Sequence, residues 1–302
     1  MGAFRRLACT VCCGLFLHAC SAGPQVIPIP VPAENAAGSL DWLNENYPEV
    51  LSAISTAMVR ELKFPPIQGV VTFYSNYQTF ENGLAAEFEA NARRAEERTG
   101  RRQPEAVRQE NIAFLARQRS VTAAAVAVND NVLVHEIAFR RYPWSERVRV
   151  LAHEMTHLLQ RNLAGRRPAS WENWLIEGFA DWVGYKVLDS LNIENFANSR
   201  QSVVDSVIAG SARQTLPSLL RLHTQGDILT WTSAQGRHAA YGQGMVAIDL
   251  LVEEKGTAAV LDYFRKFSKL NNRQGNFSEA FGETLENFDA RFSQYLAGIK
   301  GR

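Results

Sequence analysis

Cysteine is absent from most of this sequence. All four cysteines lie within the first 20 residues, so residues 21–302 cannot form a disulfide among themselves. An excess of one charge is also lacking, because 32 Lys and Arg face 31 Asp and Glu. This balance leaves no electrostatic footprint for nucleic acid, and we expect no nucleic-acid partner. No interval repeats along the chain, which excludes collagen-like and solenoid architectures.

The N-terminal cysteines belong to a predicted targeting segment. Arg5 and Arg6 precede an apolar run over residues 7–17 that is too short to span a bilayer. Leu17-His18-Ala19-Cys20 resembles a bacterial lipobox, which implies a signal peptide at 1–19 and a lipidated Cys20. An ordinary cleaved secretory signal and an uncleaved anchor are the alternatives. We therefore predict a protein held to the membrane of the bacterial cell envelope by a lipid anchor, with secretion as the alternative localisation.

Two regions follow the predicted signal peptide. Residues 20–38 are predicted to be a proline-rich tether, because the alternating Pro28, Pro30 and Pro32 favour extended chain over a packed element. Residues 39–302 are predicted to form one domain. A helix is expected after residue 39, and the Pro65-Pro66 pair is expected to end it.

Strand patterns come early in this domain and helical patterns follow. Strands are predicted at 67–74, 122–128 and 132–139, and the charged segment 84–118 predicts two surface helices. Further helices are predicted at about 145–162, 171–190, 198–209, 215–223, 238–255, 257–268 and 277–298. This order predicts an α+β protein. A small antiparallel or mixed sheet subdomain would be followed by a mostly helical subdomain, with a cleft between the two.

One motif carries chemistry. His153-Glu154-Met155-Thr156-His157 is an H-E-x-x-H sequence within an apolar helical pattern. Four helical residues turn through about 400°, so both imidazoles lie on one helix face and can share a metal ion. Glu154 lies about 100° around the helix from His153, which suits a general base better than a ligand. The motif therefore predicts two metal ligands and a catalytic glutamate.

A catalytic zinc site needs a third protein ligand and an open position for water. Glu177, on the next predicted helix and 20 positions after His157, is the best candidate. Asp181 follows it by four residues on the same helix face, and we predict that its carboxylate accepts the second ring N–H of a ligating histidine. The small Gly178 is predicted to let this helix approach the H-E-x-x-H helix closely. The sequence thus predicts Zn²⁺ at His153, His157 and Glu177.

This arrangement resembles the gluzincin group of zinc metallopeptidases, which pair H-E-x-x-H with a glutamate on a following helix. The segment from Glu177 to Asp181 resembles their E-x-x-x-D element. More loosely, Tyr241-Gly242-Gln243-Gly244 and the sequence after it resemble the C-terminal half of small peptidase MA-like domains. The resemblance is strong over about 145–182 and weaker over about 67–295. It implies a zincin-like fold and a peptide or protein substrate.

Two related patterns do not fit the chain. The G-x-M-E-N motif of the aminopeptidase branch is absent from the sequence. Leu163 stands where the metzincin pattern has its third histidine, six positions after His157.

Peptide hydrolysis also needs a donor for the developing oxyanion. Tyr241 and His238 are the two candidates, and the family resemblance favours Tyr241. The hairpin over residues 122–139 is the only evident source of an edge strand for an extended substrate. The predicted function is therefore peptide-bond hydrolysis by metal-activated water. A zinc hydrolase of cell-wall amides and a non-catalytic zinc-containing assembly or binding lipoprotein are the alternatives, and a lid role for residues 84–118 is left open.

Overall fold

The computed structural model describes residues 23–32, 46–167, 169–213, 216–224, 226–228, 230–231 and 237–300. Side chains at 212–213, 237–240 and 300 are outside that description. The predicted signal peptide, Cys20 and residues 33–45 also lie outside it. The lipid anchor and the envelope localisation therefore stay predictions.

Four short strands form one mixed sheet in the order β1-β2-β4-β3. They are β1 (Gln25–Pro28), β2 (Val70–Tyr74), β3 (Ala125–Val128) and β4 (Asn131–His135). Strand β2 pairs antiparallel with β1 and parallel with β4, and β3 pairs antiparallel with β4 across the turn at residues 129–130. The sheet therefore has β1 and β3 at its edges, and β2 and β4 are interior strands.

Strand β1 lies within the segment predicted to be an unpacked tether, and its residues 25–28 pair with the sheet. Gln25 pairs with Phe73, and both Ile27 and Ile29 are buried in the main core. Proline is tolerated here because β1 is an edge strand, where a missing N–H can face away from the sheet. The alternation of Pro with Ile thus encodes a half-buried edge strand, because Ile27 and Ile29 fall on the core face while Val26 is exposed.

Helices make up most of the described chain. They are α1 (Tyr47–Thr56), α2 (Tyr77–Thr99), α3 (Glu105–Thr122), α4 (Glu136–Phe139), α5 (Trp144–Leu163), α6 (Asn173–Ser190), α7 (Phe196–Arg213), α8 (Arg237–Lys266), α9 (Arg273–Phe281) and α10 (Leu285–Lys300), with a π-helical turn at Ala57–Glu61 and a 3₁₀ turn at Leu219–Arg221. The mostly helical chain with its small mixed sheet agrees with the predicted α+β class.

Glycines in the left-handed conformation set two helix boundaries. Gly256 (φ 77°) kinks α8 at the point where the sequence predicts a break between two helices. Gly282 (φ 75°) ends α9, so the single helix predicted over 277–298 is wrong and two helices stand there. Glycine adopts positive φ at little steric cost, which is why both breaks fall on it.

The two faces of the sheet are covered by different helices. One face, with Val71 and Val132, joins the large core shared with α5, α6, α8, α9 and α10. The other face, with Tyr74 and Leu133, is covered by the α2–α3 hairpin. The hairpin contributes Phe80, Leu84 and Ala116 to this smaller core. Segment 84–118 therefore packs on the sheet face opposite α5. Among the described helices, none is long and apolar enough to cross a membrane.

Candidate metal centre

Helix α5 places the H-E-x-x-H residues at the border of the core. Pro143 precedes its first turn, where a missing N–H costs nothing, and Glu146 in that turn complements the helix dipole. Six apolar residues of its core face are buried: Val148, Leu151, Ala152, Met155, Leu158 and Leu159. His153, Glu154 and His157 lie beside this face and are half-buried. The helix is thus anchored by its apolar side and presents the motif at a partly open surface.

The three predicted ligands converge. Nε2 of His153 and Nε2 of His157 lie 3.1 Å apart, and Oε2 of Glu177 lies 3.5 Å and 3.7 Å from them. A tetrahedral ion with metal–ligand distances of about 2.0–2.1 Å has its ligands roughly 3.3–3.4 Å apart. The donor set of two imidazoles and one carboxylate and its spacing therefore fit Zn²⁺, and this group could hold a metal ion.

Asp181 makes the contact with His153 that its spacing predicts. Its Oδ1 lies 2.9 Å from Nδ1 of His153. The same oxygen accepts a hydrogen bond of 2.7 Å from Nη1 of Arg149, which is in turn held by both carboxylate oxygens of Glu146. Asp181 therefore directs Nε2 of His153 toward the other ligands, and Arg149 and Glu146 fix Asp181.

His157 is oriented by a residue that the sequence reasoning missed. Oε1 of Gln160 lies 2.9 Å from Nδ1 of His157, and Nε2 of Gln160 donates a 2.9 Å hydrogen bond to the carbonyl of Ile176. Gln160 is completely buried. A polar residue three positions after His157, in an otherwise apolar run, is the signal that could have identified it. Gln160 links the two ligand-bearing helices one residue before Glu177.

The charges of the cluster stabilise one another. Burial opposes protonation of His153, but the carboxylates of Asp181, Glu177 and Glu154 outweigh it and raise the pKa of His153 to about 10. Burial alone would raise the pKa of both Glu177 and Asp181. His157 and His153 outweigh burial at Glu177, and His153 and Arg149 outweigh it at Asp181, so both pKa values lie below their usual range. Both carboxylates are therefore ionised at neutral pH, and their negative charge favours a cation at the point where Oε2 of Glu177 meets the two Nε2 atoms.

Glu154 contacts the edge of the sheet. Its Oε2 accepts a 2.7 Å hydrogen bond from the backbone N–H of Ala127 in β3. Since β3 is an edge strand, this N–H points away from the sheet toward α5. The expected edge strand is therefore the first arm of the hairpin, at 125–128. The second arm, which carries Val132 and Val134, is an interior strand.

Two glycines of α6 pack against different helices. A Cβ on Gly178 would lie 2.4 Å from the carbonyl of Gly244, so Gly178 allows α6 to touch α8. A Cβ on Gly184 would lie 3.0 Å from the side chain of Arg149, so Gly184 faces α5. The prediction that Gly178 brings α6 against the H-E-x-x-H helix is wrong, because that residue points to the opposite neighbour. The contacts of α6 with α8 at Gly178 and with α5 at Gly184 nevertheless hold the helix that carries Glu177.

Tyr241 and His238 both lie in the first turns of α8, the helix that meets α6 at Gly244. Tyr241 is partly buried and packs against the main core. The side chain of His238 lies outside the described residues. The choice between them as oxyanion donor stays a prediction.

Comparison of this chain with protein-family models, with curated proteins and with solved structures finds no match.

Proposed function

We propose that this chain is a zinc-dependent peptidase of the gluzincin type. The observation that carries the proposal is the convergence of His153, His157 and Glu177 within ligand distance of one another. The hydrogen bonds that Asp181 and Gln160 accept from the two imidazoles support it, because ligating histidines characteristically have their second ring nitrogen fixed in this way.

The three candidate ligands leave one coordination position of a tetrahedral ion open. Three protein ligands leave a fourth tetrahedral position for water or substrate, the arrangement of catalytic zinc sites. When bound, zinc lowers the pKa of a coordinated water and polarises a carbonyl oxygen.

Glu154 is the proposed general base. Its carboxylate follows His153 directly and lies near enough to raise the pKa of that imidazole. Oε2 is held by the N–H of Ala127, and Oε1 is the oxygen proposed to accept the proton of the attacking water and to pass it to the leaving nitrogen. Tyr241 or His238 is proposed to donate to the developing oxyanion.

The edge strand favours an extended peptide over other zinc-hydrolase substrates. Strand β3 lies beside Glu154, and an extended chain can pair with an exposed edge through backbone hydrogen bonds. A peptide bound along β3 would have its scissile bond next to the candidate ligand cluster.

The test is cleavage profiling of a diverse peptide library by the full zinc-loaded chain, with products identified by mass spectrometry. Wild type is expected to cleave, and Glu154→Gln is expected to cut kcat at least ~100-fold, as loss of a general base does. Glu253→Gln, an exposed α8 carboxylate, is the matched control and is expected to retain activity.

Metal content separates the remaining outcomes. Glu154→Gln is expected to bind one zinc ion per chain like wild type, so its loss of activity would be chemical. Cleavage of cell-wall amides without cleavage of peptides would replace the proposal by the amidase alternative. Zinc bound in both proteins with no hydrolysis of either substrate would favour the non-catalytic lipoprotein.

A further inference from the structure

Three arginines meet at the C-terminal end of α5. They are Arg94 of α2, Arg161 in the last turn of α5, and Arg166 in the loop that follows, and the charges of Arg94 and Arg166 both act on Arg161. Within the described part of the chain, their one carboxylate partner is Asp130, whose Oδ1 lies 3.6 Å from Nε of Arg161 and 3.2 Å from Nε of Arg166. Arg94 forms no ion pair with any described carboxylate. Three positive charges thus share one negative charge.

Several N–H groups of this cluster are buried without an acceptor. Nε and Nη2 of Arg94 are shielded from solvent and have no hydrogen-bond partner among the described residues, while Nε of Arg161 and Oδ1 of Asp130 are both shielded and lie 3.6 Å apart, too far for a hydrogen bond. Burial, together with the charges of Arg94 and Arg166, lowers the pKa of Arg161 in spite of Asp130. An unsatisfied charged donor is costly in a folded protein. A bound anion would supply both the missing acceptors and the missing charge.

The cluster lies in line with the candidate metal centre. Arg161 follows His157 by four residues and His153 by eight, so it shares the ligand face of α5. From Glu154 to Arg161 the helix rises about 10 Å at 1.5 Å per residue. The helix rise therefore places Arg161 about three extended residues from Glu154, at about 3.3 Å per residue.

We propose that Arg94, Arg161 and Arg166 bind a carboxylate of the substrate two or three residues from the cleaved bond. The guanidinium fork matches a carboxylate in two-point geometry, which favours this anion as the ligand. The carboxylate belongs to a Glu or Asp side chain or to the C-terminus of the peptide. The inference rests on the proposed peptidase function and adds a preference for acidic substrates to it.

The test compares matched peptides on the full zinc-loaded protein. The varied position is two or three residues from the cleaved bond. One peptide carries Glu at this position with an amidated C-terminus, and a second carries Gln there with a free C-terminus. A third peptide carries Gln there with an amidated C-terminus and is the neutral reference. Wild type is expected to cleave one of the acidic peptides with a kcat/KM roughly tenfold or more above that of the neutral peptide. The preferred peptide shows whether the site takes a side chain or a terminus.

Arg94→Leu is the decisive variant, and Arg93→Leu is its control. Arg93 is the neighbouring arginine, with a side chain 65% exposed and paired with Glu89. The ratio of kcat/KM between the acidic and neutral peptides is expected to fall toward one in Arg94→Leu and to stay unchanged in Arg93→Leu. Because Arg94 lacks an acidic partner, Arg94→Leu should fold with a Tm at or above that of wild type. A ratio near one in wild type, or an unchanged ratio in Arg94→Leu, would overturn the inference.

Direct binding separates this inference from the proposed function. Fluorescence anisotropy of the same labelled peptides on zinc-loaded Glu154→Gln protein needs no turnover. If wild type cleaves nothing, tighter binding of an acidic peptide that is lost on adding Arg94→Leu still supports the arginine site. Equal binding of acidic and neutral peptides, or no binding of either, contradicts it.

Discussion

At the scale of single residues, the ligand cluster depends on two hydrogen bonds that fix the histidine rings. Asp181 holds Nδ1 of His153 and Gln160 holds Nδ1 of His157, each at 2.9 Å. The amide of Gln160 is neutral, so it adds no charge to the cluster. It still selects one tautomer of His157, because its oxygen accepts from Nδ1. The two imidazoles therefore have supports of different charge.

Replacing Gln160 by Met tests the neutral support. Met has a similar shape but cannot accept from His157 or donate to the carbonyl of Ile176. Zinc affinity is expected to fall about 10- to 100-fold, the usual effect of losing such a partner. Competition with a chromophoric chelator measures it, and Gln160→Glu, which keeps an acceptor for His157, should lose less. Equal affinities in all three proteins would show that Gln160 only fills space.

Sequence spacing predicts well which residues converge as candidate ligands, because their positions are local. His153, Glu154 and His157 lie within one helical turn or so of each other, and Glu177 and Asp181 share a face of a second helix. The contact between Ala127 and Glu154 has no such signal, since it depends on the position of a strand 27 residues away. The contact from Ala127 was therefore missed for want of a local signal, whereas Gln160, three residues after His157 in the same helix, was missed in spite of one.

At the scale of elements, the position of Glu177 depends on how α6 is packed. Gly178 lets the backbone of α6 touch α8, and a Cβ on Gly244 would lie 2.6 Å from the carbonyl of Trp174. Two glycines thus face each other across this contact. The side chain of Glu177 is held next to the point of closest helix approach.

Gly178→Ala is expected to force α6 away from α8. The added Cβ would meet the backbone of Gly244 at 2.4 Å, and such overpacking costs about 1–3 kcal/mol. Gly298→Ala is the control, because that helical glycine has open space around it and should gain roughly 0.5–1 kcal/mol. Urea unfolding measures both changes, and a loss of zinc affinity in Gly178→Ala alone would tie the packing to the ligand. Equal stability changes in the two variants would contradict the argument.

Element types were predicted more reliably than element partners. The hairpin, the α2–α3 pair and the helices around the motif follow from periodicity and turn residues, which are local. Strand β1 did not, because its prolines favour extended chain whether or not a partner strand is present. Only pairing with β2 distinguishes the two states, and that contact spans more than 40 residues.

At the scale of the whole molecule, one core links the sheet to the C-terminal helices, and α6 crosses it. The start of α6 is fixed to those helices by Glu172. This carboxylate is completely buried and its Oε1 pairs with Nε of Arg273 at 2.8 Å, while its backbone N–H donates to the hydroxyl of Tyr263. The helix that carries Glu177 is therefore anchored at a buried ionisable group.

Burial raises the pKa of Glu172 to about 7, although the charge of Arg273 opposes the shift. A folded-state pKa above the usual 4.5 means that this group favours folding below about pH 4.5, and that this contribution is lost as pH rises through 7. Relative to Glu172→Gln, wild type should therefore lose stability between pH 5 and pH 8, by at most roughly 3 kcal/mol. Urea unfolding at the two pH values measures the difference, with the exposed Glu110→Gln as the control. A pH-independent difference would mean that the ion pair with Arg273 keeps Glu172 charged throughout, and α6 would then be anchored by a permanent charge pair.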